Sequence, residues 1–347
     1  MSLINPYINR RASHLIEVLR FRLNAPLTSV NYIRFSLLRF LIICTIVLMA
    51  YAYGSSTAIP NDPLVVITNA PHSSQDGRYD YPHKLLELAL NATQETDGPF
   101  VLQFAEEPLT RTRALLEMES GHSLQVMTEA VKPDWHAKLI EIPIPIRRGV
   151  QGLRKLMVRT EVKDTVEKIV SLDQLKQFTT GSGVQWSTRK VLEDEGFQVV
   201  VSSDYASLFR MLSNGRFDTF ARGINEIEPE FQEFSKIYSN IAIIDNIGLY
   251  QILPTYFYVS PKFPTLADRI ARGLAILQEN GTFDTVFCQY NQESLAQVKT
   301  TDRYFCLKNG NLAGMPILDE TKYIFGLCES GILDLTKITA AQLCQNP

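Results

Sequence analysis

One arginine in this sequence stands where a strand should stop. In MLSNGRFDTFARGINEIEPE (211–230) a helical ending runs into Asn214-Gly215, then into the apolar stretch 217–220, and then meets Arg222-Gly223 and a run of acids. A guanidinium is planar and always charged, so at a strand end it can hold a carboxylate or phosphate through two parallel hydrogen bonds. It can equally pair with Glu226 or Glu228 on the following turn, a solvated contact that contributes little. Trp186 follows Gly181-Ser182-Gly183 at a helix start, where its indole could floor a pocket while backbone N–H groups of the turn around Ser182 face an anion. Its alternative role is a half-buried packing residue. Arg154 stands just after a Gly-rich link and has the same two readings, ligand contact or structural ion pair. Arg111 and Arg113 open a helix after Pro108, although a helix N-terminus disfavours cations.

Catalytic signatures are missing. The sequence has no Gly-x-Ser-x-Gly elbow, no His-Glu-x-x-His and no Walker glycine loop, and His72, His83, His122 and His136 stand singly. Glu226, Asp218 and Glu106 could each act as a general acid, and spacing distinguishes none of them. Gly181-Ser182-Gly183 lacks the third glycine of a dinucleotide fingerprint, so no cofactor is expected, and cysteines without a CxxC pair make a metal site the weaker reading, so none is expected. The 347 residues, 45% of them hydrophobic, suffice for one large core or two smaller ones. The net charge of −3 hides an asymmetry: residues 1–58 hold six Arg, no Lys and one acid, which leaves 28 bases against 36 acids in the rest. Such a body lacks the basic face that nucleic acid requires.

The first segment reads as targeting. Arg34 and Arg39 precede a mostly apolar run at 40–52, the length of a signal-peptide core and short for a membrane span. Small-residue exits follow at Ala52 and Ala58, and both remain open, as does an uncleaved anchor that would hold the protein at the inner membrane. With Cys44 inside the apolar run, four cysteines remain, Cys288, Cys306, Cys328 and Cys344, without any CxxC pair. In an exported protein they are expected to form two disulfides across a C-terminal extension, 297–347, with three pairings open. A hairpin-like turn is expected at Lys308-Asn309-Gly310.

Between these ends the chain alternates strand and helix. Strands are expected at 64–68, 100–104 and 124–128, and helices at 84–92 and 111–119, a βαβαβ rhythm that implies a parallel sheet with ligands at its carboxyl edge. After a Pro-rich extended segment at 142–146, a second alternation places strands at 153–158, 178–183, 197–201 and 217–220, with helices between them from 171, 186 and 205.

In order and spacing, Ser171-Leu-Asp-Gln-Leu, Gly181-Ser-Gly183, Ser203-Asp-Tyr205, Leu212-Ser-Asn-Gly-Arg-Phe-Asp218 and Leu274-Ala-Ile-Leu-Gln-Glu-Asn-Gly-Thr-Phe283 resemble the family 3 solute-binding proteins of bacterial uptake systems, over about 63–290. The resemblance implies an α/β fold of two Rossmann-like lobes, the type 2 periplasmic binding protein fold, joined by two hinge crossings near 143–147 and 253–256. Lobe 1 would take 59–146 and 254–296, and lobe 2 would take 147–253. It further implies a small-molecule ligand held by closure, a periplasmic monomer, and a membrane permease of ABC type or a sensor as partner. Ligand contacts would then fall on Arg222, Trp186, Arg154, Arg113, Ser182 and Glu226, with Tyr79 and Tyr81 on the loop that walls the cleft. Two departures bear on the ligand. Amino-acid binders carry Ser-x-Thr-x-x-Arg after the third strand, where this chain has Met127-Thr-Glu-Ala-Val-Lys-Pro-Asp-Trp135, and they carry an acid for the ligand amine where this chain has Arg222-Gly223. The ligand is therefore expected to be anionic or to lack a free amine. A dehydratase of small carboxylic acids on the same fold, or a sensing module docked on a membrane partner, are the alternatives.

Overall fold

A computed structural model describes residues 62–71 and 77–313, with 324–325, 328, 331–337 and 344 of the C-terminal stretch. The apolar run at 40–52, its two exits and His72 lie outside the described residues. Among those described, no helix is long and apolar enough to cross a membrane.

The order of elements begins β1 (Leu64–Thr68), α1 (Asp80–Ala92), α2 (Gln94–Asp97), β2 (Phe100–Phe104), α3 (Arg111–Ser120), β3 (Val126–Ala130), α4 (Pro133–Lys138) and β4 (Ile140–Ile142). It continues with β5 (Leu153–Arg159), α5 (Thr160–Glu167), α6 (Leu172–Leu175), β6 (Thr180–Gly183), α7 (Ser187–Asp194), β7 (Val199–Ser202), α8 (Tyr205–Ser213), β8 (Thr219–Gly223), α9 (Ile224–Phe234) and β9 (Ile241–Tyr250). Last come β10 (Thr255–Val259), α10 (Pro264–Glu279), α11 (Thr282–Ala296) and β11 (Arg303–Cys306). Local chemistry accounts for several boundaries. Thr110, Ser171 and Asp204 each accept a backbone N–H from the first turn that follows, satisfying donors a helix leaves unpaired.

The first sheet has the order β2-β1-β3-β10-β4. Its β2, β1 and β3 are parallel, as the βαβαβ rhythm implies, but β10 runs antiparallel between β3 and β4, so the sheet is mixed. The chain re-enters this lobe at the carboxyl end of β3, where Thr255 sits opposite Ala130, and the strand it forms there must run back. The same non-local pairing moves β3 two residues beyond its expected position, which brings Thr128, Glu129 and Ala130 to the strand end. The second sheet has the order β11-β9-β5-β8-β6-β7 and is also mixed. Alternation on β5 supplies both its cores: Leu156 and Val158 pack with Val166, Val191 and Leu192, while Met157 faces Leu208, Phe209, Phe220 and Phe234. Each such side chain contributes about 1.5–3 kcal/mol by leaving water.

Residues 143–152 and 251–254 link the sheets. They touch each other, since Gln251 N–H donates to the Gly152 carbonyl at 3.1 Å, and a Cβ on Gly152 would lie 1.9 Å from the Gln251 oxygen. Only glycine allows the backbones this approach. A third link, absent from the sequence expectation of two, runs through 297–302 from α11 to β11. Phe283 and Phe287 of α11 are buried in the core of the first lobe, whereas β11 extends the second sheet beside β9. The expected hairpin at 308–310 is not formed: β11 takes β9 as its partner, and the Asn309 side chain instead caps a short 3-10 turn at Gly310–Leu312. The disulfides are Cys288–Cys344 and Cys306–Cys328, one of the three pairings the spacing allowed.

Candidate functional site

The strand ends of the first sheet and the entry of α7 enclose a cavity of about 100 Å³ between the two sheets. At roughly 10–15 Å³ of such space per water, it has room for a molecule of about seven to ten non-hydrogen atoms. The first lobe brings Tyr79, Arg111, Thr128, Glu129 and Thr255 to its wall. The second brings Arg154, the α7 entry at 186–188, Arg222 and Glu226, and the first crossing adds Arg147 and Gln151. A wider chamber of about 780 Å³, sharing Arg78, Arg111, Trp186 and Glu226, opens beside it.

Arg222 is only 2% exposed, and its charge is answered within the protein. Its Nε and Nη2 donate to Glu230 at 2.6 and 2.5 Å, Glu226 lies at 3.2 Å, and the Trp186 ring lies 4.5 Å from the guanidinium. The partners sit four and eight residues on, along one face of α9, so the helix presents both carboxylates to the strand. The bridge is buried rather than solvated, and Glu228, the other partner weighed from sequence, is absent from it. Burial would push the Arg222 pKa down, but Glu226 and Glu230 outweigh it and hold it above the ordinary value. Burial would push Glu226 up, and Arg222, then Arg154 and Arg78, hold it well below the carboxylate range. Arg154 donates to the carbonyls of Ala221 and Gln151, and burial pulls its pKa down to about 10.

Arg147 is different. It is 7% exposed, its Nη2 donates to the Arg78 carbonyl at 2.8 Å, and among the described residues it forms no ion pair. Burial lowers its pKa, with the more distant Glu226 the foremost opposing influence. Two further polar atoms at the cavity wall, Ser187 Oγ and Thr255 Oγ1, are buried without a hydrogen-bond partner among the described residues. The N–H groups of Ser187 and Thr188, in the first turn of α7, have no partner within the helix. A buried cation, two hydroxyls without a partner among the described residues and a helix N-terminus thus meet at one wall of the cavity.

Glu129 accepts from Arg111 Nε at 2.9 Å and from Ala130 N–H at 3.1 Å, with Lys132 Nζ at 3.6 Å. Lys132 Nζ also donates to the Gln185 carbonyl at 2.9 Å, and Gln185 Nε2 donates to Thr112 Oγ1 at 2.8 Å, so the lobes touch directly here.

Of the residues singled out from sequence, Arg222, Trp186, Arg154, Tyr79 and Glu226 line the cavity. Tyr81, Arg113 and Ser182 do not. Tyr81 lies beneath the site, its hydroxyl donating to the Ile146 carbonyl and its ring 5.8 Å from the Arg147 guanidinium. Arg113 pairs with Glu117 on the surface of α3, its side chain 63% exposed. Ser182 is buried inside β6, which runs through the expected glycine turn; a Cβ on Gly181 would meet the Phe217 ring at 2.3 Å, so that glycine serves packing. Missed from sequence were Arg147, Ser187, Thr255 and Glu129. For Arg147 a signal existed, because two successive arginines follow the Pro143–Pro145 segment where a crossing is expected.

The acid side of the stability profile follows from these carboxylates. Glu226 and Glu129 are both depressed below the ordinary value of 4.5, so they bind fewer protons folded than unfolded as pH drops past it. Their contribution is fully present above about pH 4.5 and is lost as pH falls through the folded values. Urea unfolding is expected to give a midpoint little changed by these groups between pH 7 and 5 and falling below 4.5, and the fall should be shallower in Glu226→Gln. A midpoint that rose on acidification would contradict the pairing.

No protein-family model matches the sequence, and no curated protein matches it. Among solved structures, an ancestral arginine-binding protein bound to glutamine aligns with a TM-score of 0.50 at 15% identity, over 67% of this chain and 98% of that one. An ancestral arginine-binding protein bound to arginine gives 0.48 at 18% identity, over 66% and 97%. A periplasmic binding protein of Salmonella typhimurium with high arginine specificity gives 0.48 at 13%, over 66% and 98%. Identities this low speak to the fold alone. With two mixed sheets joined by close crossings and a cavity between them, the chain has the two-lobed fold of type 2 periplasmic binding proteins, in a form divergent in sequence.

Proposed function

We propose that this chain is an exported solute-binding protein that captures a small anionic metabolite without a free amine in the cleft between its lobes. The observation that carries this reading is Arg147, a buried guanidinium without a carboxylate partner among the described residues, at a cavity wall with the unpartnered hydroxyls of Ser187 and Thr255. The carboxylates at the wall, Glu129 and Glu226, are each held by Arg or Lys, which leaves neither for a ligand ammonium. Arg222 and Trp186 then form a rigid floor, their charge internally balanced. The two-lobed fold supports capture by hinge closure, and the Gln185 contacts with Thr112 and Lys132 are ones that opening would break. A membrane permease of ABC type or a membrane sensor is the matching partner, with the apolar run at 40–52 as the export signal. Binding is favoured over acid catalysis because a carboxyl depressed as Glu226 is cannot keep a proton near neutral pH.

Thermal shifts of the purified, disulfide-intact protein test this. A ligand at ~100 times its Kd adds roughly 2.7 kcal/mol, a shift of a few degrees at this size. Amine-free acids are expected to stabilise it and to be recovered unchanged, while their α-amino counterparts are not. Stabilisation by amino acids alone, or recovery of a converted compound, would refute the reading.

A further inference from the structure

Charge around the cavity does not cancel. Arg222 and Arg154 face Glu226 and Glu230, two cations against two carboxylates. Arg111 and Lys132 share the single carboxylate of Glu129, which leaves one positive charge in excess on the first lobe. Arg147 adds a second on the crossing. Arg78, also at the wall, has contacts of its own, and its guanidinium lies 4.6 Å over the Tyr205 ring.

The donors match the charges. Arg111 commits its Nε to Glu129, and its two Nη nitrogens have no hydrogen-bond partner among the described residues. Arg147 commits Nη2 to the Arg78 carbonyl and keeps Nε and Nη1. Both guanidiniums line one cavity of about 100 Å³, so a single small molecule can reach both.

We infer that the ligand carries two acidic groups, one on Arg147 with Ser187 Oγ and Thr255 Oγ1, the other on the free edge of Arg111: a short, amine-free dicarboxylic acid. This rests on the anion-binding reading above and sharpens it. A monoacid would leave either Arg111 or Arg147 without a counter-charge, whereas a diacid answers both guanidiniums with charge-assisted hydrogen bonds.

Isothermal titration of the full chain decides it, with malonate, succinate and glutarate set against propionate, butyrate and valerate, and inorganic phosphate as a single-centre dianion. The best diacid is expected to bind about ten- to a hundredfold tighter than the monoacid of equal carbon number, and tighter than phosphate. In Arg111→Gln that ratio should fall towards one. Glu129 keeps Lys132 in that variant, and its unfolding midpoint checks that it folds. Equal affinities for diacid and monoacid in the wild type would overturn the two-centre site while leaving anion binding standing, as would tighter binding of phosphate. A ratio unchanged in a folded Arg111→Gln would overturn the placement on Arg111. Absence of binding by every acid would overturn this inference together with the reading beneath it.

Discussion

Replacing Arg147 with glutamine is expected to abolish ligand-induced stabilisation and to leave the unliganded protein as stable as the wild type or slightly more so. The two halves have one cause. Arg147 is buried, and burial already lowers its pKa, so its charge has lost hydration with no ion pair among the described residues in return. The glutamine amide could keep a bond to the Arg78 carbonyl that Nη2 now makes, while removing the charge. The anion, in contrast, loses its charge-assisted partner. Truncating one side of a buried, hydrogen-bonded charge pair costs about 2–5 kcal/mol, roughly 30- to several-thousand-fold in affinity. Calorimetric titration beside urea unfolding measures both halves. Ligand affinity within threefold of wild type would remove Arg147 from the site.

Arg222→Met should do the reverse and damage the fold first. The side chain it replaces is fully buried and donates twice to Glu230, with Glu226 beside it, and Tyr205 bonds the same Glu230 carboxylate. Without the guanidinium, two carboxylates remain buried near one another with Arg154 as the nearer remaining cation, 3.7 Å from Glu226. Breaking a buried pair from one side costs about 3–5 kcal/mol, a large share of the 5–15 kcal/mol by which domains are stable. The double variant Arg222→Met/Glu230→Gln should recover part of that loss, because it removes one of the stranded charges. If Arg222→Met unfolds at the wild-type urea concentration but no longer binds, the bridge is dispensable and Arg222 is the anchor that its position at the strand end first suggested.

These two arginines show where sequence reasoning ends. Arg222 was conspicuous because it interrupts a local pattern, a strand ending followed by acids, and local pattern is what a chain displays. Which acids answer it depended on α9 folding back so that Glu226 and Glu230 face the strand. Arg147 carries no such local mark beyond its place after a proline-rich extended segment. Its significance is a matter of what is absent around it, and that is decided by the packing of Tyr81, the first crossing and the α7 entry.

Read alone, the chain determined the alternation of strands and helices, the helix start at Ser171, and the two-lobed class, because periodicity and capping are properties of neighbours in sequence. Tertiary structure alone decided the antiparallel return of β10, the two-residue shift of β3, the third link through β11 to the second sheet, and which disulfide pairing formed. Each depends on partners more than twenty residues apart, and a strand's direction and register are set by the strand beside it rather than by its own residues. The charge balance of the cleft belongs to the same class, since whether an arginine is spent or free follows from which carboxylates the fold brings within reach.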